Sequence, residues 1–216
     1  MNEQKKLKIS IDNRKIETNE GENLLQVCLQ NDIYIPNLCY IKGMVLPSAS
    51  CRLCFVEVQG ENAPLPSCTL KVKEGMVINT DTEAVRELQR TALKLLLSTH
   101  NVDCAHCPAN KKCELQKIAR LLKIGLKSKQ FEKYLKDTEV DRTHPLLDYY
   151  PNRCVLCGKC VYICNEKSDR PPLSFAKRGL ETIISFYGEE DTSSCQSCKA
   201  CVDICPVSAL VLKSNG

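Results

Sequence analysis

The chain has 216 residues, 43% of them hydrophobic, with 16 cysteines, no tryptophan and a formal charge of +4. Such a hydrophobic fraction suits a globular protein, whereas sixteen thiols are far too many for ordinary core packing and point to several small modules stapled by metals or disulfides. Met1 to Ile11 lacks the apolar run of a signal peptide and no later segment has membrane-spanning length, so a cytoplasmic protein without membrane insertion is expected, whose thiols serve metals in a reducing compartment.

Leu7, Ile9 and Ile11 alternate with polar residues, Asp12-Asn13 supplies a turn and Ile16 sits in a second short run, which together predict a hairpin. A helix is expected over Glu22 to Asn31, where Leu24, Leu25, Cys28 and Leu29 recur at helical spacing and Pro36 blocks continuation. Phe55, Val58 and Met76 to Ile78 supply further strands, and the succession suggests a ubiquitin-like (β-grasp) roll. Within it lies the set Cys39-x11-Cys51-x2-Cys54-x13-Cys68. Four thiolates at this spacing suit zinc or a 2Fe-2S cluster, and the hairpin-and-helix setting favours 2Fe-2S. Cys28 shares a helical face with Leu24 and Leu25 and reads as a small buried apolar residue.

From Thr82 the pattern turns helical: Val85, Leu88, Ala92 and Leu96 form one apolar stripe, and Leu115, Ile118, Leu121 and Leu122 a second that stops at Gly125. Between the stripes lies His100-x3-Cys104-x2-Cys107-x5-Cys113. Three thiolates and an imidazole suit structural zinc, but beside further cysteine runs a 4Fe-4S cluster with one histidine ligand is the more coherent reading. A neutral imidazole in place of a thiolate removes a negative charge and eases reduction. His106 and His144 are read as structural. Lys111 to Lys136 carries nine basic residues against Glu114 and Glu132, which reads as a solvated helix face or as a dock for an acidic redox partner.

The most specific signal comes last. Cys154-x2-Cys157-x2-Cys160-x3-Cys164 and Cys195-x2-Cys198-x2-Cys201-x3-Cys205-Pro206 repeat the run of bacterial two-cluster ferredoxins, in which the fourth cysteine of each run serves the other cluster. Cys154, Cys157, Cys160 and Cys205 are therefore expected around one 4Fe-4S cluster and Cys195, Cys198, Cys201 and Cys164 around the other. Asn165 stands where proline usually follows the fourth cysteine, without affecting the ligands. Counting fifteen thiolates and four oxidised cluster cores turns the net charge to roughly −3, which weakens any nucleic-acid reading. The nine glycines are widely spaced, so there is no glycine-rich cradle for nucleotide phosphates, and neither NAD nor flavin is expected on this chain.

The motifs Cys39-Tyr40, Cys51-Arg52-Leu53-Cys54, Val56-Glu57-Val58, His100 to Cys113 with Glu114-Leu115-Gln116, and the two ferredoxin runs stand in an order that resembles the iron-sulfur diaphorase subunit of soluble NAD-linked hydrogenases. They are similar also to the N-terminal module of the large peripheral-arm subunit of respiratory complex I, of iron-only hydrogenases and of NAD-dependent formate dehydrogenases. Ala49 and Ser50 depart from this pattern, which commonly has a glycine before Cys51. The resemblance implies an α+β chain in three parts: a 2Fe-2S ferredoxin-like domain (1–81), a helical domain with a histidine-ligated 4Fe-4S cluster and a connector (82–143), and a two-cluster 4Fe-4S domain (144–216). It implies one 2Fe-2S and three 4Fe-4S clusters, no catalytic site on this chain, and relay of single electrons between a flavin-containing NAD(P)H-oxidoreductase subunit and a hydrogenase or formate dehydrogenase catalytic subunit, with ferredoxin as a further partner. A freestanding polyferredoxin and a zinc-stabilised scaffold are the alternatives.

Overall fold

A computed structural model of the chain describes residues 6–127, 133–168, 171–187, 195 and 198–213. By its contacts the chain separates into two compact units, one up to Leu93 and one from Lys94 on.

The first unit is built on a hairpin of β1 (Lys6–Ile11) and β2 (Arg14–Asn19), in register from Lys6 opposite Asn19 to Ile11 opposite Arg14. Asp12 and Asn13 both take positive φ, 48° and 66°, as the central residues of a tight hairpin turn whose twist matches its strands. Helix α1 (Leu24–Gln30) follows, shorter than the expected span because Asn23 caps it: the Asn23 side chain accepts from Gln26 N at 3.1 Å. Strands β3 (Phe55–Val58), β4 (Leu65–Pro66) and β5 (Val77–Asn79) complete a five-stranded sheet in the order β2-β1-β5-β3-β4. The β1–β5 pair is parallel and the others antiparallel, the arrangement of a β-grasp. Leu7, Ile9 and Ile11 of β1 bury against Leu24, Leu25 and Cys28 of α1. Cys28 is fully buried and its thiol is pushed up to about 12 by that burial, so it behaves as the small apolar residue its position suggests.

Helix α2 (Glu83–Ser98) runs through the division between the units. Its buried face is Val85, Gln89, Ala92, Leu93 and Leu97, while Leu88 and Leu96 are only half-buried. The predicted stripe is thus rotated, because Gln89 sits at its centre and hides it from a hydrophobicity pattern; the Gln89 Nε2 donates to Phe55 O at 3.3 Å. Helix α3 (Glu114–Leu121) ends before Gly125. Lys123 takes the left-handed turn (φ 56°) and donates to Arg120 O, while Ile124 donates to Ala119 O at 2.9 Å, so a lysine fills the usual glycine role of this helix end.

The rest of the second unit is made of short elements. Strand β6 (Leu147–Tyr149) pairs antiparallel with β9 (Leu210–Leu212), and β7 (Leu173–Ala176) with β8 (Ile183–Phe186). Helices α4 (Lys159–Lys167) and α5 (Ala200–Asp203) each follow part of a cysteine run. The basic stretch is not a single solvated helix face. Only α3 within it is helical among the described residues, and Lys136 is 6% exposed. Its backbone is clasped by Asn152, whose Oδ1 accepts from Lys136 N at 2.8 Å and whose Nδ2 donates to Lys136 O at 2.9 Å. Ser128 to Glu132 lie outside the described residues. No helix among the described residues is long and apolar enough to cross a membrane.

Candidate metal centres

Cys39, Cys51 and Cys54 lie on the loop between α1 and β3, and Cys68 on a 3-10 turn (Ser67–Thr69) after β4; all four are buried. They form two pairs. The Cys39 and Cys51 sulfurs are 3.4 Å apart, and Cys54 bonds to Cys68 through their sulfurs. Cys51 holds Cys39 down to about 5 and is itself pushed up by Cys39; Cys68 likewise lowers Cys54 and is raised by it. Two pairs of sulfurs fit a cluster of two irons, each taking two thiolates.

The surrounding backbone fixes these positions. Ser67 donates to Cys54 O from both its amide and its hydroxyl, each at 2.8 Å, and Asn23 Nδ2 donates to Cys68 O at 2.5 Å. The helix cap and a ligand therefore share one side chain. Ser48 and Ser50 help to hold the Cys39 thiol low, and Leu38 N donates to Cys51 Sγ at 3.5 Å. Ala49, where relatives of this pattern commonly have glycine, takes φ 48°. A left-handed alanine costs about 1–2 kcal/mol.

His100, Cys104, Cys107 and Cys113 line one cavity of about 380 Å³. Cys113 is the N-cap of α3, and Cys104 opens a 3-10 turn (Cys104–His106). His100 Nδ1 lies 2.9 Å from Arg153 O. A carbonyl can only accept, so Nδ1 carries the proton and Nε2 keeps the lone pair that binds metal. Burial pushes this imidazole down to about 4, so it stays neutral as a ligand must. His106 is exposed, bonds to Asp103 at 3.0 Å and does not line the cavity.

Cys154, Cys157, Cys160 and Cys205 line a second cavity of about 340 Å³, and Cys164, Cys195, Cys198 and Cys201 a third of about 570 Å³. The fourth cysteine of each run thus stands with the other run's three. Helix α4 makes the exchange: Cys160 and Cys164, one turn apart, face different cavities. Val207 lines both the first and the second cavity. The three cavities are therefore in series, joined by one side chain and one helical turn. Among the described residues no three His, Cys, Asp or Glu side chains converge tightly enough for a single metal ion; the sulfurs stand around spaces of cluster size instead. Burial raises the thiols of Cys154, Cys160 and Cys164 and pushes Cys157 and Cys201 up to about 12. Ionising them needs a cationic group among them.

The chain matches, in succession, the 2Fe-2S iron-sulfur cluster binding domain over residues 4–83, the NADH-ubiquinone oxidoreductase-G iron-sulfur binding region over 89–126, and the ferredoxin-like domain of NADH-quinone oxidoreductase subunit 3 over 144–211. The chain is an iron-sulfur module like those of NADH-quinone oxidoreductase subunits 3 and G. It is 32% identical over 205 residues to the NADH-ubiquinone oxidoreductase 75 kDa subunit of Reclinomonas americana, covering 95% of this chain and 29% of that protein. It is 33% identical over 216 residues to the NADP-reducing hydrogenase subunit HndD of Solidesulfovibrio fructosivorans, covering 95% of this chain and 36% of that protein. The module thus spans about a third of the length of these curated relatives. A chain in the crystal structure of an H2-reduced NAD+-reducing [NiFe]-hydrogenase superposes with a TM-score of 0.82 at 28% identity, covering 97% of this chain and 88% of that one. The module is α+β and carries 2Fe-2S and 4Fe-4S binding domains for electron transfer.

Several side chains near the sulfurs escape a search for ligand types. The hydroxyl of Tyr149, which is fully buried, accepts from Ile184 N at 3.2 Å and favours the Cys154 thiolate. The ammonium of buried Lys136 favours the Cys154 thiolate. The only sequence trace of either is its nearness to the first ferredoxin run. Val207 follows Cys205-Pro206 directly and could have been found from that.

Proposed function

We propose that this module is the electron relay of a multi-subunit, cytoplasmic NAD(P)-linked oxidoreductase, carrying single electrons between a flavin-containing NAD(P)H-oxidoreductase subunit and a hydrogenase or formate dehydrogenase type catalytic subunit. The reading rests chiefly on the serial arrangement of three cysteine-lined cavities around Val207 and α4. Cys39, Cys51, Cys54 and Cys68 would hold a 2Fe-2S cluster. His100, Cys104, Cys107 and Cys113, then Cys154, Cys157, Cys160 and Cys205, then Cys195, Cys198, Cys201 and Cys164 would each hold a 4Fe-4S cluster. The proposed parts are residues 1–81, 82–143 and 144–216.

Bound there, the clusters supply one-electron redox chemistry at potentials set by ligand type, burial and hydrogen bonds to sulfur. The protein's side chains place and tune. His100 presents Nε2 because Arg153 O holds its Nδ1 proton. Tyr149 favours the Cys154 thiolate and Lys136 adds positive charge beside it; both favour the electron-rich state. Ser48 and Ser50 act in the same sense on Cys39. Bond-making chemistry falls to the partner subunits, as does the choice between hydrogen and formate.

Anaerobic purification followed by iron and sulfide analysis tests the cofactor content. About 14 iron atoms per chain with matching sulfide are expected, and stoichiometric zinc with neither sinks the proposal. Native isolation tests the relay role. Flavin-containing and catalytic polypeptides should co-purify, and a stable monomer exchanging electrons without them would make the chain a freestanding polyferredoxin.

A further inference from the structure

The third cavity has a wall that the ligand set does not explain. His144 lines it together with the cysteines and is only 5% exposed. Its ring packs against Phe186, with centroids 4.6 Å apart and planes tilted by 43°. Leu146 N donates to His144 Nδ1 at 3.1 Å. A backbone amide can only donate, so Nδ1 holds the lone pair and the neutral ring carries its proton on Nε2. That Nε2 is buried and has no hydrogen-bond partner among the described residues.

A buried N–H without an acceptor is destabilising, and native structures leave few of them. Nε2 meets no acceptor within hydrogen-bonding geometry among the described residues. Asp141, the nearest acidic influence on the ring, accepts from both the amide and the hydroxyl of Thr143, and Lys213 donates to Arg142 O. No carboxylate lines the cavity among the described residues. A ring held on one side by Leu146 and Phe186, with its proton on the other nitrogen, suits an acceptor that arrives with the occupant of the cavity.

We propose that His144 is a positioning residue for the cluster held by Cys164, Cys195, Cys198 and Cys201, donating a hydrogen bond from Nε2 to one of its sulfurs and so raising its reduction potential. The physical cause is charge. An added electron makes the cluster sulfurs more negative and the bond stronger, so the donor favours the reduced state over the oxidised one. The inference rests on the reading that these four cysteines hold a 4Fe-4S cluster.

The test compares the full-length holoprotein with His144→Leu and His144→Gln variants by potentiometric titration followed by EPR. The relevant cluster is the one retained by Cys205→Ser and lost from Cys164→Ala. Its potential should fall in His144→Leu while the other clusters keep theirs, and the glutamine amide should restore much of the shift. In the same samples exchanged into heavy water, a deuteron coupling on this cluster should be present in the unsubstituted protein and absent from His144→Leu. An unchanged potential in His144→Leu overturns the inference, as does an equal shift of every cluster or loss of this cluster from both variants. An iron count showing no cluster at this site in the unsubstituted protein overturns the proposed function itself, and is read before any potential is measured.

Discussion

The two units hold sulfur in opposite ways. Up to Leu93 the chain builds a five-stranded sheet and a capped helix around an apolar core, and the four cysteines hang from that frame already in pairs, with Cys39 and Cys54 held low by their neighbours. From Lys94 on, strands are three or four residues long and the sulfurs ring three cavities. There burial is the first cause that raises Cys157, Cys160 and Cys201, whereas in the first unit each lowered thiol faces a raised one, Cys51 or Cys68. In the first unit the fold comes first and the metal is added to it. In the second, buried side chains such as Leu115, Tyr149 and Ile184 line the cysteine cavities themselves, so metal bound there would couple more tightly to folding.

Removing the clusters with a chelator under reducing conditions should give the largest effect. Hydrogen exchange is expected to show the sheet β2-β1-β5-β3-β4 still protected and the second unit exchanging within its first time points. Simultaneous loss of protection in both units would erase the distinction.

Cys205→Ser probes the second unit from within. About four irons should be lost, together with the EPR signal of the cluster ringed by Cys154, Cys157 and Cys160, while the cluster of Cys195, Cys198 and Cys201 survives. Loss of the latter alone would mean that each run serves its own cluster.

Tyr149→Phe should leave the iron content unchanged. The one-electron potential of the Cys154 cluster is expected to fall by about 20–60 mV, the equivalent of one hydrogen bond of about 0.5–1.5 kcal/mol. A redox titration that finds no shift would remove Tyr149 from the tuning groups.

Asn23→Ala is the mildest change and belongs to the first unit. Loss of the α1 cap should cost about 1 kcal/mol in denaturant unfolding. It should also loosen the Cys68 carbonyl, visible as faster loss of the 2Fe-2S absorption. A stability change with no effect on cluster lifetime would show that cap and ligand are independent.

The difference between the units also governs what the sequence reveals. The hairpin of Leu7, Ile9 and Ile11 with its Asp12-Asn13 turn is a local pattern, and it is found where the pattern puts it. Helix α2 is local too, yet its face is misplaced because Gln89, 1% exposed, is polar by type and buried by position. The sequence pattern ends α3 at Gly125, but a left-handed turn tolerates lysine at a modest cost and Lys123 takes it. The ligand types and their spacing are legible because metal chemistry restricts them to cysteine and histidine. The groups that act on those ligands are not so restricted. His144 beside Pro145 does lie in a loop, as it reads, but only its packing against Phe186 of β8 shows that it is buried; Lys136 reads as one more surface charge, and only Asn152 and the low exposure reveal otherwise.

The exchange of Cys164 and Cys205 across α4 has a consequence for manufacture. A chain emerging from the ribosome has Cys39 through Cys68 and the whole β-grasp in hand while its second half is still being made. On the proposed assignment the second run's site is complete once Cys201 is made, because Cys164 is already there, whereas the first run's site waits for Cys205. On that assignment a ribosome that stops short of Cys195 releases a chain with the four β-grasp cysteines in place and both ferredoxin-like sites open.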